Sequence, residues 1–256
     1  MRVFSNIFRI LVDDNSSWQD KIFLTFDIDW ADDTVLNDTI DLVEEAGVAA
    51  TWYVTHETPV LKRLRANQNF ELGIHPNFNF LLEGDARRGR NSDEVVERVI
   101  NIVPEAKSVR SHSMTQSSGL LAIFEKFRLT HDVNHFVPAQ SGIRLSPWLI
   151  WNGLCRVPYF WEDDVACMYD LHNHIIDLVS RPGLKVFDFH PIHVFLNTEH
   201  LNRYERTRYL HHNPEELIKH RYGGIGTRTR LIELLQSHRS SNMHKKISKV
   251  TGGQGA

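Results

Sequence analysis

The sequence predicts an α/β fold in which parallel strands curl into a closed or nearly closed barrel. Short apolar runs alternate with segments of helical period, the rhythm of strands joined by crossover helices. Seven or eight such runs fit within about 240 residues, the size of a (β/α) barrel. Chemistry-bearing residues collect where the runs end: Asp27 and Asp29, His75, Arg110 and His112, Asp132, Glu162 to Asp164, His190 and His193. Barrels of this kind carry their chemistry at the C-terminal strand ends. No repeat, low-complexity block or linker interrupts the pattern, so residues 1–256 read as one domain.

The strands are expected at 21–29, 49–55, 71–75, 108–112, 128–133, 155–160 and 185–190. Between the first two lies a helix from Thr34 to Ala46, with Val35, Ile40, Leu42 and Val43 on its apolar face and Gly47 as its stop. Ser92 caps a second helix that carries Val95, Val96, Val99 and Ile100 and ends before Pro104. Ser117 or Ser118 caps Leu120 to Phe127, and Asn213-Pro214 opens another helix. Gly223-Gly-Ile-Gly226 lacks the preceding strand of a dinucleotide loop and reads as a turn before a helix at about 227–237. Nearby Arg221, Arg228 and Arg230 fit a solvated helix face better than a nucleotide contact.

A net charge of −3 argues against general nucleic-acid binding. The two cysteines, Cys155 and Cys167, have no metal or disulfide spacing and read as buried apolar side chains. No run approaches the roughly 20 apolar residues of a membrane span. The segment Val3 to Val12 is broken by Arg9 and lacks the core of a signal peptide, so a cytoplasmic location is expected. The end, 243–256, reads as a mobile tail.

Lys21-Ile-Phe-Leu-Thr-Phe-Asp27-Ile-Asp29 is the most informative segment. Strand alternation sends both aspartates to one side, where they repel unless a cation or a proton lies between them. A metal-assisted hydrolase uses one carboxylate on the ion and the other as a base, although an Asp-rich turn has the same composition. A helical turn from Pro76 would stack His75 and Asn79 as metal ligands one turn apart. Alternation also puts Asp188 and His190 on one face, where His190 suits proton transfer or a core hydrogen bond. Arg110 can orient a carboxylate or make a rim ion pair. Trp30, Trp52, Trp148, Trp151 and Trp161 suit either sugar rings or packing.

Together these segments resemble the polysaccharide deacetylases of the NodB-homology superfamily (carbohydrate esterase family 4), and most of all the WbmS-like subgroup found with O-antigen loci. Thr25-Phe26-Asp27-Ile28-Asp29 resembles the first motif of the superfamily, and Ala50 to Val54 the strand after its first helix. His75 and Asn79 align with its His-x-x-x-His motif, and Arg110 with its arginine motif. Val157 to Asp164 is similar to a Pro-x-x-Trp-x-x-Asp segment, and His190-Pro191 to the late histidine motif.

The resemblance implies a distorted (β/α)7 barrel of NodB-homology type and a divalent ion, zinc by preference. It implies Asp27 as general base, Asp29 and His75 as metal ligands, and His190 as general acid, with His193 as the alternative acid. Arg110 would hold Asp27, helped by Asp163 or Asp164. The substrate class is an N-acylated sugar, as a nucleotide-sugar or a polysaccharide precursor. Asn79 stands where the motif has a second histidine, and three outcomes follow. Asn79 ligates the ion, or His112 replaces it, or the metal site is weak and the chain is a sugar- or partner-binding module or a metal-free catalyst. A different metal-dependent barrel, such as an amidohydrolase, would use His172-Asn-His174, but that pair lies in a stretch read as helical.

Overall fold

The computed structural model describes residues 3–169 and 174–237. His172 and the tail at 243–256, both singled out in the sequence, lie outside these residues. The strands are β1 (Val3–Phe4), β2 (Lys21–Asp27), β3 (Ala50–Val54), β4 (Phe70–Ile74), β5 (Ser108–Val109), β6 (His131–Asp132), β7 (Trp148–Leu149), β8 (Cys155–Arg156), β9 (Trp161–Glu162) and β10 (Lys185–Phe189). The helices are α1 (Asp33–Ala46), α2 (Leu61–Ala66), α3 (Asn79–Leu82), α4 (Ser92–Ile102), α5 (Ser118–Lys126), α6 (Asp163–Met168), α7 (Ile175–Val179), α8 (Pro191–Leu196), α9 (Leu201–Thr207) and α10 (Pro214–Leu217), followed by a helix over 227–237.

The sheet order is β7-β8-β6-β5-β4-β3-β2-β10-β9, with β1 added beside β2, and only β7 runs antiparallel. Its two ends belong to one stretch of chain. Cys155–Arg156 pairs with β6, and Trp161–Glu162 pairs with β10. Residues 155–162 are therefore a split stave that curls the sheet into a distorted barrel. The single strand expected at 155–160 divides where Pro158 offers no backbone donor. The strand expected at 128–133 shrinks to β6 because Arg128 adopts a left-handed backbone (φ 59).

The helices follow their local signals. Asp32 accepts from Thr34 N at 2.8 Å to start α1, and Gly47 stops it at φ 66. Asn91, one residue before the expected Ser92, caps α4, Ser117 caps α5, and Asn213 caps α10. The turn expected from Pro76 does not form. Residues 75–78 are irregular and α3 starts at Asn79, so His75 and Asn79 do not share a helical turn.

The barrel interior is polar in layers, because alternate strand residues meet across it. At the N-terminal end Glu71 accepts from Thr51 Oγ1 (2.7 Å), Ser108 Oγ (2.7 Å) and Phe8 N (3.1 Å). Burial pushes the Glu71 carboxyl up against those hydrogen bonds. The next layer holds Tyr53, which fits because Gly73 has no side chain. A Cβ there would stand 2.6 Å from the Tyr53 ring. Above it Arg110 reaches Asp27 and Asp188, and the C-terminal mouth follows. Outside the staves the contacts are aromatic: Phe26 stacks on Trp52 at 4.2 Å, and Trp161 packs on Phe189 at 4.8 Å.

Candidate active site

Asp27 is the last residue of β2, buried, with Oδ1 accepting from Arg110 Nη1 at 2.9 Å. Asp29 reaches the same place by a route other than strand alternation. Ile28 to Ala31 is a tight turn closed by Ala31 N donating to Ile28 O at 2.9 Å, with Asp29 (φ 35) and Trp30 (φ 55) both left-handed. That is type I′ geometry, uncommon without glycine or asparagine, and it aims Asp29 over the barrel mouth.

Three donor atoms meet there. His75 Nε2 lies 3.2 Å from Asp29 Oδ1 and 3.3 Å from His112 Nδ1, and Asp29 Oδ1 lies 3.3 Å from His112 Nδ1. Asp29 Oδ1 is buried, yet is aligned for a hydrogen bond with neither ring. Donors on a tetrahedral ion with bonds of about 2.0–2.1 Å stand about 3.3 Å apart, so the triangle has the spacing of three ligands on one such ion. Burial works to raise the Asp29 carboxyl, but His112, His75 and His190 around it hold it well below the usual range. The His75 ring is pushed down by burial and, more strongly in sum, up by Asp27 and Asp29.

His112 arrives on a 3-10 turn (His112–Met114) that is braced from a distance. Arg156 Nε donates to Asp132 Oδ2 (2.6 Å), Asn134 Nδ2 to Asp132 Oδ1 (2.5 Å), and Ser111 N to Asn134 Oδ1 (2.6 Å). His112 N also donates to Pro76 O at 3.0 Å, which ties the turn to the segment after His75. Asn79 sits beside this turn, its Nδ2 donating to Ser113 Oγ at 3.0 Å.

Arg110 is fully buried between the rings of Tyr53 (4.7 Å) and Tyr159 (4.5 Å). Its Nη1 serves both Asp27 and Asp188, and Asp188 Oδ1 also accepts from Thr25 Oγ1 at 2.8 Å. One cation faces two carboxylates. Burial first, then repulsion from Asp27, pushes Asp188 up to about 8, although Arg110 opposes this. The second carboxylate on Arg110 is therefore Asp188, where the resemblance had implied Asp163 or Asp164.

Asp163 instead grips His190. Its Oδ1 lies 2.7 Å from His190 Nδ1, and its Oδ2 accepts from His190 N at 2.8 Å. Burial would lower the His190 ring, but Asp163, Asp164 and Asp29 carry it well above the ordinary value. Its Nε2 lies 3.7 Å from Asp29 Oδ2. His193 is buried with Nδ1 3.1 Å from Thr198 Oγ1, and burial pulls its ring down. Two further acid–histidine groups among the described residues have ligand-like spacing, Asp27–Asp188–His190 and Asp163–Asp164–His190. Each already contains a bond to Arg110 or within the Asp163–His190 pair.

The mouth opens as two lobes that meet at Asp29, His112, Asp164 and His190. One, of about 390 Å³, is walled by Met114, Phe136, Tyr159, Val165 and Met168 over Asp27 and Arg110. The other, of about 470 Å³, lies along α8 and α9, with Trp30 on its wall. Of the other tryptophans, Trp52 and Trp161 are buried, and Trp148 and Trp151 are exposed. Arg221 and Arg228 pair with Asp38, and Arg230 is buried, so none extends the cleft. Cys155 and Cys167 are buried, each thiol pushed up to about 12.

The family model for WbmS-like polysaccharide deacetylases matches residues 24–208. The chain belongs to this family. A crystal structure of WbmS from Bordetella bronchiseptica, assigned as a polysaccharide deacetylase involved in O-antigen biosynthesis, is 49% identical, with a TM-score of 0.88, covering 91% of this chain and 97% of that one. A family 4 carbohydrate esterase from Streptomyces lividans, solved with acetate, shows 13% identity and a TM-score of 0.47 over 85% of this chain and 88% of its own. A polysaccharide deacetylase assigned in Mycobacterium smegmatis gives 15% and 0.46, over 90% and 94%. No curated protein matches the chain. In this WbmS-like chain no helix among the described residues is long and apolar enough to cross a membrane.

Proposed function

We propose that the protein is a metal-dependent hydrolase, acting as a single catalytic unit, that removes an N-acetyl or related N-acyl group from a sugar during O-antigen-type polysaccharide assembly. The observation that carries this reading is the Asp29–His75–His112 triangle, with Asp27 and His190 each steered toward it by a buried partner. Family membership and the WbmS relative support the substrate class.

Asp29, His75 and His112 would hold the ion, which when bound supplies positive charge that acidifies water and polarises the acyl carbonyl. Asp27 has Oδ1 engaged by Arg110, leaving Oδ2, 3.5 Å from His75 Nε2, to take a proton from the attacking water. The water oxygen then bonds to the acyl carbon. His190 has Nδ1 fixed by Asp163, so Nε2 faces the cleft and delivers a proton to the sugar nitrogen as the C–N bond breaks. Its raised affinity for the proton keeps it charged for that step. One water is consumed, and the products are the carboxylic acid and the amino sugar. The apolar lobe beside Tyr159 and Met168 suits the acyl methyl.

The test combines metal analysis of the purified protein with acetate release from N-acetylated sugars. Asp29→Ala should lose both bound ion and turnover. His190→Ala should keep the ion and lose about 10²–10⁴-fold in rate. Full turnover in Asp29→Ala would end the metal-hydrolase reading. Sugar binding without any ion, even after zinc addition, would make the protein a binding module.

A further inference from the structure

The lobe along α8 and α9 takes no part in proton transfer or acyl binding as described, yet it opens directly onto the same junction. Its inner wall is a run of rings leading outward from the acid. His190 packs on His193 (5.8 Å), His193 on Tyr204 (4.9 Å), and Tyr204 on His211 (4.7 Å). Trp30, set edge-on against His112 at 5.2 Å, also lines the lobe. Aromatic faces of this kind suit a pyranose ring.

Arg208 supplies a fixed positive charge on the same lining. Its acidic neighbour, Glu205, is 3.9 Å away with both side chains largely exposed, a weak pairing. Among the described residues, the carboxylates of this lobe, Asp29 and Asp164, stand at the junction, and none lines it further out. The cleft is thus polarised: its centre favours a cation, and its α9 end favours an anion.

We propose that the α9 lobe is an anion subsite, which takes a carboxylate or phosphate carried by the sugar whose acyl group is removed or by the adjoining unit. This rests on the deacylase reading for the direction in which the substrate lies. Charge-assisted donation from Arg208, which lines the lobe, is the source of the selectivity.

The experiment is calorimetric titration of the zinc-loaded protein with three probes: neutral N-acetylglucosamine, 2-acetamido-2-deoxyglucuronate and N-acetylglucosamine 1-phosphate. At least one anionic probe should bind about tenfold or more tightly than the neutral sugar, and added salt should erode that preference. Which anion binds more tightly identifies carboxylate or phosphate as the source. Arg208→Gln should abolish the preference, and Arg206→Gln, an exposed neighbour outside the lobe, should keep it. Equal binding of all three probes, no binding of either anion, or a preference that survives Arg208→Gln would overturn the subsite. Acetate release measured alongside separates the two readings. His190-dependent release with no anion preference removes the subsite alone. An Arg208-dependent preference without release from any probe removes the deacylase alone.

Discussion

Asp188→Asn is expected to stabilise the fold at neutral pH and to lose that advantage in acid. Arg110 carries one positive charge between Asp27 and Asp188, and burial together with the Asp27 charge outweighs the help that Arg110 and His190 give a second buried negative charge. The fold therefore favours protonated Asp188, with its carboxyl raised from 3.8 to about 8. Above 3.8 the unfolded chain releases this proton while the folded one keeps it. Stability then falls by about 1.4 kcal/mol per pH unit until the folded group also ionises. Between pH 5 and pH 7 the loss is about 2.7 kcal/mol, and asparagine, with no proton to release, escapes it. The amide oxygen can still accept from Thr25 and Arg110 as Oδ1 does now. Urea unfolding of both proteins at pH 5, 6 and 7, with a chelator present so that bound metal does not contribute, measures the difference. Stability differences that stay constant across the three pH values would refute the reasoning, whatever their sign.

Gly73→Ala places a Cβ 2.6 Å from the Tyr53 ring and 2.7 Å from Ser108 Oγ, and should cost about 1–3 kcal/mol in thermal or urea unfolding. It should also slow turnover, because Tyr53 is one of the two rings that hold Arg110. His112→Ala should weaken zinc binding about a hundredfold or more in a chelator competition, with Asn79→Ala within a few fold of the parent. The reverse order would mean that the ligand set is not the triangle. Asp163→Asn should leave metal affinity intact but lower kcat by roughly 10²–10³. It should also shift the alkaline limb of the kcat profile to lower pH. Without Asp163 the His190 ring loses its chief source of raised proton affinity, so the acid deprotonates earlier as pH rises. An unmoved limb would reassign the acid.

The barrel was legible because its signals are local: strand runs, capping residues and polar run-ends act over a few positions. Asp27, Asp29, His75, Arg110 and His190 were all found at run-ends, and all of them face one cleft. What the sequence concealed depends on distant partners or on rare backbone. Alternation explains Asp27, but Asp29 arrives through a left-handed Asp-Trp pair with no glycine to mark it. His112 stood open as one of three outcomes. Its placement depends on Arg156, Asp132 and Asn134, which are 20 or more residues away in the chain. The pairing of Asp163 with His190 required knowing that residues 155–162 change partners midway, from β6 to β10, and that of Asp188 with Arg110 required knowing that β10 lies beside β2.

That change of partner also explains how chemistry and stability coexist in this barrel. A stave that stayed with β6 along its length would carry Asp163 away from β10. By crossing to β10 at Trp161, the chain brings Asp163 beside His190, which directly follows that strand. The cost is a seam with few ladder hydrogen bonds. The offset comes from outside the barrel, where Trp161 packs on Phe189 and Phe187 and Phe160 packs on Phe187. Apolar energy is thus kept on the outer face, and the inner face is left free for charged groups that pair with one another. Removing outer packing, as in Trp161→Ala, should therefore loosen the acid before the metal triangle. Turnover should fall by more than zinc affinity does, because Asp163 directly follows β9 while the triangle comes from the segments after β2, β4 and β5. Equal losses in both would mean that the seam and the metal centre are one mechanical unit, and that the outer packing serves the whole site.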